Sequence, residues 1–237
     1  MKQPHRIIYG TMRMLEVKRS LSKWIYIFDE MREKGIVNFH ISKEYKSYKL
    51  FLEIVRKSNF YKKDVNIYAK CFSPNFDDKE YDAKKLNQLL DNYLSDLKIG
   101  SVHMQWMWRA NLDNDQMRCS NLSQKIGELD YSFLKLKKNK INEIYCFPYS
   151  IKFGRLVEKI KSIDGLAIYF NPKEKSFKKI LGKKNIGIRP LYSGYLNQRY
   201  SFKYLMNYSL KEKKIVKTIL SINKLRNFKN LYNFLDV

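Results

Sequence analysis

The sequence alternates eight times between a short run rich in β-branched and aromatic residues and a longer run with helical spacing. Such alternation favours parallel strands that are joined by helices through right-handed crossovers. Eight units favour a closed barrel over an open doubly wound sheet, and no Gly-x-Gly-x-x-Gly fingerprint follows the first strand. The 237 residues also suit one barrel, which commonly uses about 250 residues. The sequence therefore predicts an α/β fold, a compact (β/α)8 TIM barrel, with residues 1–237 as a single domain.

The two periodicities place the elements along the chain. The predicted strands cover residues 6–12, 37–41, 65–70, 102–108, 143–147, 166–170, 186–191 and 215–221. The predicted helices cover residues 21–34, 47–56, 82–97, 124–137, 153–163, 174–181, 198–208 and 225–235. The polar stretch 111–123 is predicted to be the longest loop.

Charge and cysteine content limit the class of protein. The formal net charge is +24, but the lysines are spread over every predicted helix, and their densest runs lie at helix ends and connections, where cations are favoured. We therefore expect no nucleic-acid partner, and weak attraction to polyanions stays open. Three widely spaced cysteines favour a reducing, cytoplasmic setting, and no set of histidines and cysteines has the spacing of a metal site. No apolar run is long enough for a membrane span, and residues 1–6 lack the apolar core of a signal peptide.

The predicted strand ends carry the candidate site, because barrel enzymes place their chemistry at the C-terminal ends of the strands. Tyr45 follows the second strand, five residues after His40, and Lys70 ends the third strand. A phenol beside an ammonium group is a proton-transfer pair, because the cation stabilises the phenolate. The sequence therefore predicts that Tyr45 and Lys70 meet at one end of the barrel.

Several segments, in order, resemble one enzyme family. Tyr9-Gly10-Thr11-Met12 resembles a Gly-Thr turn after a first strand, and the segment from Gly35 to Tyr45 resembles Gly-Ile-Asn-x-Phe-Asp-Thr-Ala-x-x-Tyr. Residues 65–70 resemble the strand that delivers a catalytic lysine, residues 93–97 resemble a Ser-Leu-x-x-Leu segment, and residues 187–194 resemble a Ser-Pro-Leu-x-x-Gly strand ending. Over nearly its full length the chain resembles the aldo-keto reductases.

The resemblance implies an oxidoreductase that uses NADP(H) to interconvert a carbonyl and an alcohol. It implies that Tyr45 is the general acid/base and that Lys70 lowers its pKa. His40 stands at the family's aspartate position, and Trp108 stands at its substrate-orienting histidine. The resemblance implies cofactor contacts for Gly10, Thr11, Leu191, Ser221 and Asn223. It implies a small-molecule carbonyl or alcohol substrate, with a sugar-linked compound left open.

Two functional alternatives stay open on the sequence. The first is a reductase with an altered site, in which His40 serves as a polar partner. The second is a catalytically degenerate barrel that binds a small molecule or a polyanion without redox turnover. Trp108 is expected either to fill the space of the missing histidine or to stack on a ligand ring, and His103 is expected to be structural.

Overall fold

Eight strands form a closed parallel barrel in chain order in the computed structural model, which describes residues 4–58, 60, 65–72, 81–108, 114–180 and 184–236. The strands are β1 Ile7–Gly10, β2 Asn38–Ile41, β3 Asn66–Phe72, β4 Val102–Met107, β5 Ile141–Cys146, β6 Gly165–Tyr169, β7 Asn185–Ile188 and β8 Ile215–Leu220. β1 pairs in parallel with both β2 and β8, which closes the ring. The predicted (β/α)8 TIM barrel is confirmed.

Seven α-helices and several short 3-10 helices accompany the strands in the described part of the chain. The α-helices are α1 Leu21–Glu33, α2 Tyr48–Lys57, α3 Ala83–Leu97, α4 Asp115–Asn139, α5 Ile151–Val157, α6 Phe202–Leu210 and α7 Leu225–Asp236. The 3-10 helices include Thr11–Glu16, Ser176–Ile180 and Tyr192–Gln198. Within the described ranges, no helix has the length and apolar character that crossing a bilayer requires.

Capping side chains explain where the structure departs from the predicted boundaries. The predicted loop over 111–123 is wrong for most of its length, because α4 begins at Asp115; residues 111–113 lie outside the described residues. The Asn114 side chain accepts a hydrogen bond from the Met117 amide at 3.0 Å and so starts the helix in polar sequence. The predicted helix 198–208 begins later, at Phe202, because the Ser201 hydroxyl caps it. The predicted helix 174–181 is the short 3-10 helix Ser176–Ile180.

The chain divides into two compact units. Unit one contains Met1–Tyr68, Tyr169–Lys175 and Gly187–Val237, and unit two contains Ala69–Ile168 and Ser176–Ile186. The single domain over residues 1–237 stays a prediction.

An aromatic cluster joins strands to helices in unit one. The Phe39 ring of β2 stacks on the Phe28 ring of α1 with centres 5.2 Å apart, and it lies 6.4 Å from the ring of Phe51 on α2. Tyr9 of β1 meets Phe28 edge-on at 5.6 Å. All four side chains are at least 99% buried. Packing of this kind seats α1 and α2 against β1 and β2 and so fixes the positions of the strand ends.

Polar side chains form a buried network in unit one, on the strand face opposite to the one that carries Phe39. Asn38 is fully buried, and its Nδ2 donates to the main-chain oxygens of His5 at 2.7 Å and Ile7 at 3.2 Å. Its Oδ1 accepts from Asn66 Nδ2 at 3.1 Å and lies 3.5 Å from Lys217 Nζ. Since a buried amide must find partners, this network specifies how β1, β2 and β3 align.

The aromatic cluster predicts a large cost for truncating its central ring. Phe39→Ala removes a fully buried side chain, so we expect the free energy of unfolding to fall by about 3 to 5 kcal/mol. Tyr26→Ala, which changes a ring that is 57% exposed on α1, should stay within about 0.5 kcal/mol of wild type. Urea unfolding followed by circular dichroism measures both, and equal midpoints for the two variants would contradict this account of the packing.

Candidate active site at the strand ends

The ends of β1, β2 and β8 form one rim of the barrel in unit one. The parallel register aligns Gly10 with His40 and Tyr9 with Leu220. The residues that follow these strands therefore emerge at the same rim, where barrel enzymes carry their chemistry.

Two buried hydroxyl groups tie the segment after β2 to the end of β1. Thr11 Oγ1 donates to the main-chain oxygen of His40 at 3.1 Å, and Ser47 Oγ donates to the main-chain oxygen of Thr11 at 2.9 Å. Thr11 is 1% exposed and Ser47 is fully buried. Together these bonds fix the short segment that carries Tyr45.

Tyr45 sits in a hydrogen-bonded turn immediately before α2. Its amide donates to the Ser42 oxygen at 3.0 Å, and its own main-chain oxygen accepts from the Tyr48 amide at 2.8 Å. The ring centres of Tyr45 and His40 are 6.0 Å apart. The structure thus brings together these two predicted site residues.

The surroundings of Tyr45 hold its phenol in the protonated form. Burial raises the pKa of Tyr45 above its usual value, and the negative charge of Glu44 raises this pKa further. This direction is opposite to the lowering by Lys70 that the resemblance implied. At neutral pH the group is protonated, but the raised pKa makes it a weaker general acid than a free phenol.

Lys70 and Trp108 belong to unit two, where each lies beside an aromatic ring. Lys70 Nζ lies 4.7 Å from the centre of the Phe72 ring, and the main-chain oxygen of Lys70 accepts from the Tyr93 hydroxyl at 3.0 Å. Trp108 is 1% exposed, with its ring centre 6.0 Å from Trp106. This burial supports a space-filling role for Trp108. The meeting of Lys70 with Tyr45 stays a prediction.

Position 10 favours glycine because the Ser221 side chain lies close to its backbone, and its backbone angles impose no such requirement. Its φ is −87°, which any residue adopts, but a Cβ at this position would lie 2.1 Å from Ser221 Oγ. The end of β8 therefore packs directly on the end of β1. A side chain at position 10 would force the Ser221 hydroxyl to move and would crowd Ile219 Cγ2, which would lie 3.2 Å away.

Asn223 ties the segment after β8 to the 3-10 helix after β1. It is 5% exposed, and its Nδ2 donates to the main-chain oxygen of Arg13 at 3.3 Å and to Glu16 Oε2 at 2.9 Å. Glu16 also accepts from Arg13 Nε at 2.7 Å. The amide of Asn223 is thus used within the protein, as is the hydroxyl of Thr11, so both act as supports for the rim loops.

Groups that fit the phosphates of a nucleotide lie on the β8 side of the rim. Ser221 is partly exposed, Lys224 and Arg226 are exposed, and no residue in the described part of the chain forms an ion pair with either cation. Arg226 is in the first turn of α7, where the helix dipole also favours an anion. The chemistry of this set therefore fits a phosphate-bearing cofactor.

Leu191 lies in the segment that follows β7, three residues after the last residue of that strand. It is 6% exposed, and its main-chain oxygen accepts from the Gly194 amide at 2.9 Å. Tyr192 and Ser193 adopt left-handed backbone angles, with φ of 47° and 57°. Such angles cost energy for residues other than glycine, so the surroundings must hold this loop in place.

Among the described residues, no group of three or more histidine, cysteine or acidic side chains is placed to hold an ion. His103 Nδ1 lies 2.9 Å from Glu143 Oε2, and its side chain is 12% exposed. This contact between β4 and β5 supports the structural role expected for His103. The three cysteines are buried free thiols.

Sequence reasoning missed Ser47 and the basic, tyrosine-rich segment after β7. A serine at the start of a helix usually signals a cap, but Ser47 makes no capping bond and donates to Thr11 instead. In the segment after β7, tyrosines at 192, 195, 200 and 204 are interspersed with basic residues at 189, 199 and 203. That mixture of tyrosines and cations was the available signal.

Comparison with solved structures relates this barrel to aldo-keto reductases. An aldo-keto reductase from Klebsiella pneumoniae in complex with NADPH matches with a TM-score of 0.73 at 12% identity, over 98% of this chain and 86% of that chain. An aldo/keto reductase from Brucella melitensis matches with a TM-score of 0.69 at 13% identity, over 98% of this chain and 88% of that chain. The aldose reductase from Schistosoma japonicum matches with a TM-score of 0.65 at 11% identity, over 98% and 83%. At these identities the similarity shows a shared fold.

Sequence comparisons add no relative. No protein-family model matches the chain, and no curated protein matches it.

The environment of Tyr45 predicts a phenol that titrates above the usual value of about 10. We expect the near-ultraviolet phenolate absorbance of wild type and Tyr45→Phe to be the same from about pH 6 to about pH 9, because the raised pKa keeps Tyr45 protonated in that range. A phenolate that forms near neutral pH in wild type and is missing from Tyr45→Phe would contradict this, and would instead support a cation that lowers the pKa.

Proposed function

We propose that the protein is an oxidoreductase of the aldo-keto reductase type, which interconverts a small-molecule carbonyl and its alcohol with NADP(H). The observation that carries the proposal is the position of Tyr45, whose ring centre lies 6.0 Å from that of His40 at the C-terminal rim of a barrel with the fold of these enzymes. The bound cofactor would supply the hydride that adds to the carbonyl carbon. Tyr45 would donate its proton to the carbonyl oxygen, giving the alcohol.

The other residues of the rim have supporting parts in this proposal. Ser221, Lys224 and Arg226 would hold the cofactor's phosphates, because they are a hydroxyl and two cations on the β8 side. His40 is 5% exposed and lies beside the Tyr45 ring, so it would orient the phenol. Gly10, Thr11, Leu191 and Asn223 would shape the loops around the cofactor.

The part proposed for Lys70 is to stabilise the phenolate form of Tyr45. Oxidation of an alcohol needs a phenolate as base, and an ammonium group near Tyr45 would make that form accessible. Reduction of a carbonyl needs the phenol to release its proton, which the same ammonium group would also assist by lowering the pKa. Lys70 would therefore serve both directions of the reaction.

A specific observation favours the alternative of a barrel that binds without turnover. The raised pKa of Tyr45 and the engaged side chains of Thr11 and Asn223 are also what a purely structural rim would show. In that case a small molecule or a polyanion would bind, and no cofactor would be consumed.

Replacement of Tyr45 by phenylalanine separates the two candidates. We expect NADPH-dependent reduction of an aldehyde such as 4-nitrobenzaldehyde by wild type, and a loss of kcat by a factor of about 100 to 10,000 in Tyr45→Phe, because general acid catalysis is removed. Affinity for NADPH, measured by fluorescence titration, should stay the same in this variant.

The matched control is Tyr131→Phe, which removes a hydroxyl from a ring that is 73% exposed on α4. This control should keep the wild-type kcat. Equal rates for Tyr45→Phe and wild type would remove Tyr45 as the acid. Absence of NADPH binding by wild type at millimolar concentration would favour the barrel without turnover.

A further inference from the structure

The segments that follow β6 and β7 line a half-open pocket of about 600 Å³ in unit one. Its lining includes Lys173, Tyr192, Tyr195, Gln198, Arg199 and Tyr200. Both segments lie at the C-terminal ends of their strands, which is the end of the barrel that carries Tyr45. Pockets of about 300 to 1,000 Å³ hold small organic ligands.

The charges of the pocket favour an anion. Lys173 and Arg199 are exposed, and neither has a carboxylate partner among the residues that the structure describes. The neighbouring carboxylate of Glu174 is already engaged, because it accepts from Asn171 Nδ2 at 2.7 Å and lies 3.6 Å from Arg189 Nη1. Two unopposed cations at one cavity attract a negatively charged group.

The aromatic side chains of the pocket favour a ring. Tyr192 and Tyr195 have ring centres 6.1 Å apart, and Lys173 Nζ lies 4.5 Å from the Tyr192 ring. Tyr195 is 69% exposed, and Tyr200, stacked on Tyr204 with ring centres 5.0 Å apart, is 38% exposed. Exposed aromatic faces beside cations are suited to a flat, charged ligand.

The backbone holds these side chains in a fixed arrangement. Arg189, Tyr192 and Ser193 are non-glycine residues with positive φ, at 58°, 47° and 57°. Asn171 Nδ2 donates to the main-chain oxygen of Arg189 at 3.0 Å, and the Arg189 guanidinium lies 4.8 Å from the ring of Tyr169. Strained backbone that is held in this way is often found at ligand sites.

We propose that this pocket binds the anionic end of the substrate, so that the carbonyl compounds preferred by the protein carry a ring and a carboxylate or phosphate group. The inference rests on the proposed function, whose substrate class it names. Lys173 and Arg199 contact the anion, and the faces of Tyr195 and Tyr200 pack on the ring. The carbonyl end of such a substrate would have to extend toward Tyr45, which follows the C-terminal end of β2 as the pocket follows those of β6 and β7.

Matched aldehydes test the charge preference. The probes are 4-carboxybenzaldehyde and its methyl ester, which share ring and aldehyde and differ in charge, with 4-formylphenyl phosphate as the phosphate counterpart. We expect wild type to favour the acid over the ester by about tenfold in kcat/KM. A preference of this size corresponds to the free energy of one charge-assisted hydrogen bond. The stronger of the two anions identifies the group that the pocket selects.

Variants that remove one positive charge test whether the preference for the acid arises at this pocket. Lys173→Gln and Arg199→Gln should bring the ratio of acid to ester close to one. Lys213→Gln removes the same charge from an exposed lysine between α6 and β8 and should keep the wild-type ratio. Tyr195→Ser should lower kcat/KM for both aldehydes, because it removes the ring face. A wild-type ratio near one, or the same loss of preference in all three lysine and arginine variants, would overturn the inference.

A binding measurement distinguishes this inference from the proposed function. Calorimetric titration with 4-(hydroxymethyl)benzoate requires no turnover. If neither aldehyde is reduced but this acid binds wild type and not Arg199→Gln, the pocket stands and the proposed oxidoreductase fails. If aldehydes are reduced without a charge preference, the oxidoreductase stands and this inference fails. If wild type shows neither reduction nor binding, both are rejected.

Discussion

The hydrogen bonds of Thr11 and Ser47 are the constraint on which the candidate site depends. Each hydroxyl bridges β1 and the segment after β2, with donor–acceptor distances of 3.1 and 2.9 Å in a buried setting. A buried hydroxyl without a partner costs free energy, so both bonds resist rearrangement. The turn that carries Tyr45 is therefore fixed relative to the strand ends, and the phenol stays in the environment that keeps it protonated.

The barrel could be predicted because its determinants are repeated along the chain. Eight alternations of two periodicities leave few topologies, and parallel strands with short crossovers close in chain order. The first residues of individual helices were harder to predict, because a single capping side chain decides where a helix begins. Asn114 starts α4 inside polar sequence that lacks a strong apolar stripe, and Ser201 delays α6 until Phe202.

The candidate site could be predicted only in part, because its chemistry depends on contacts across the sequence. The proximity of His40 and Tyr45 follows from a spacing of five residues and was predictable. The direction of the Tyr45 pKa was not, because it depends on how deeply the ring is buried and on Glu44. The pocket after β7 brings together Lys173 and Arg199, which lie far apart in sequence, so composition showed only diffuse positive charge.

A double-mutant cycle between Ser47 and Tyr45 tests most directly whether the rim ties position a catalytic acid. The measured quantity is kcat for NADPH-dependent aldehyde reduction in wild type, Ser47→Ala, Tyr45→Phe and the double variant. If Ser47 acts by positioning Tyr45, Ser47→Ala lowers kcat in the wild-type background and has no effect once the phenol is gone. The same loss from Ser47→Ala in both backgrounds would contradict the account, because it would show that the tie supports the barrel without placing the acid.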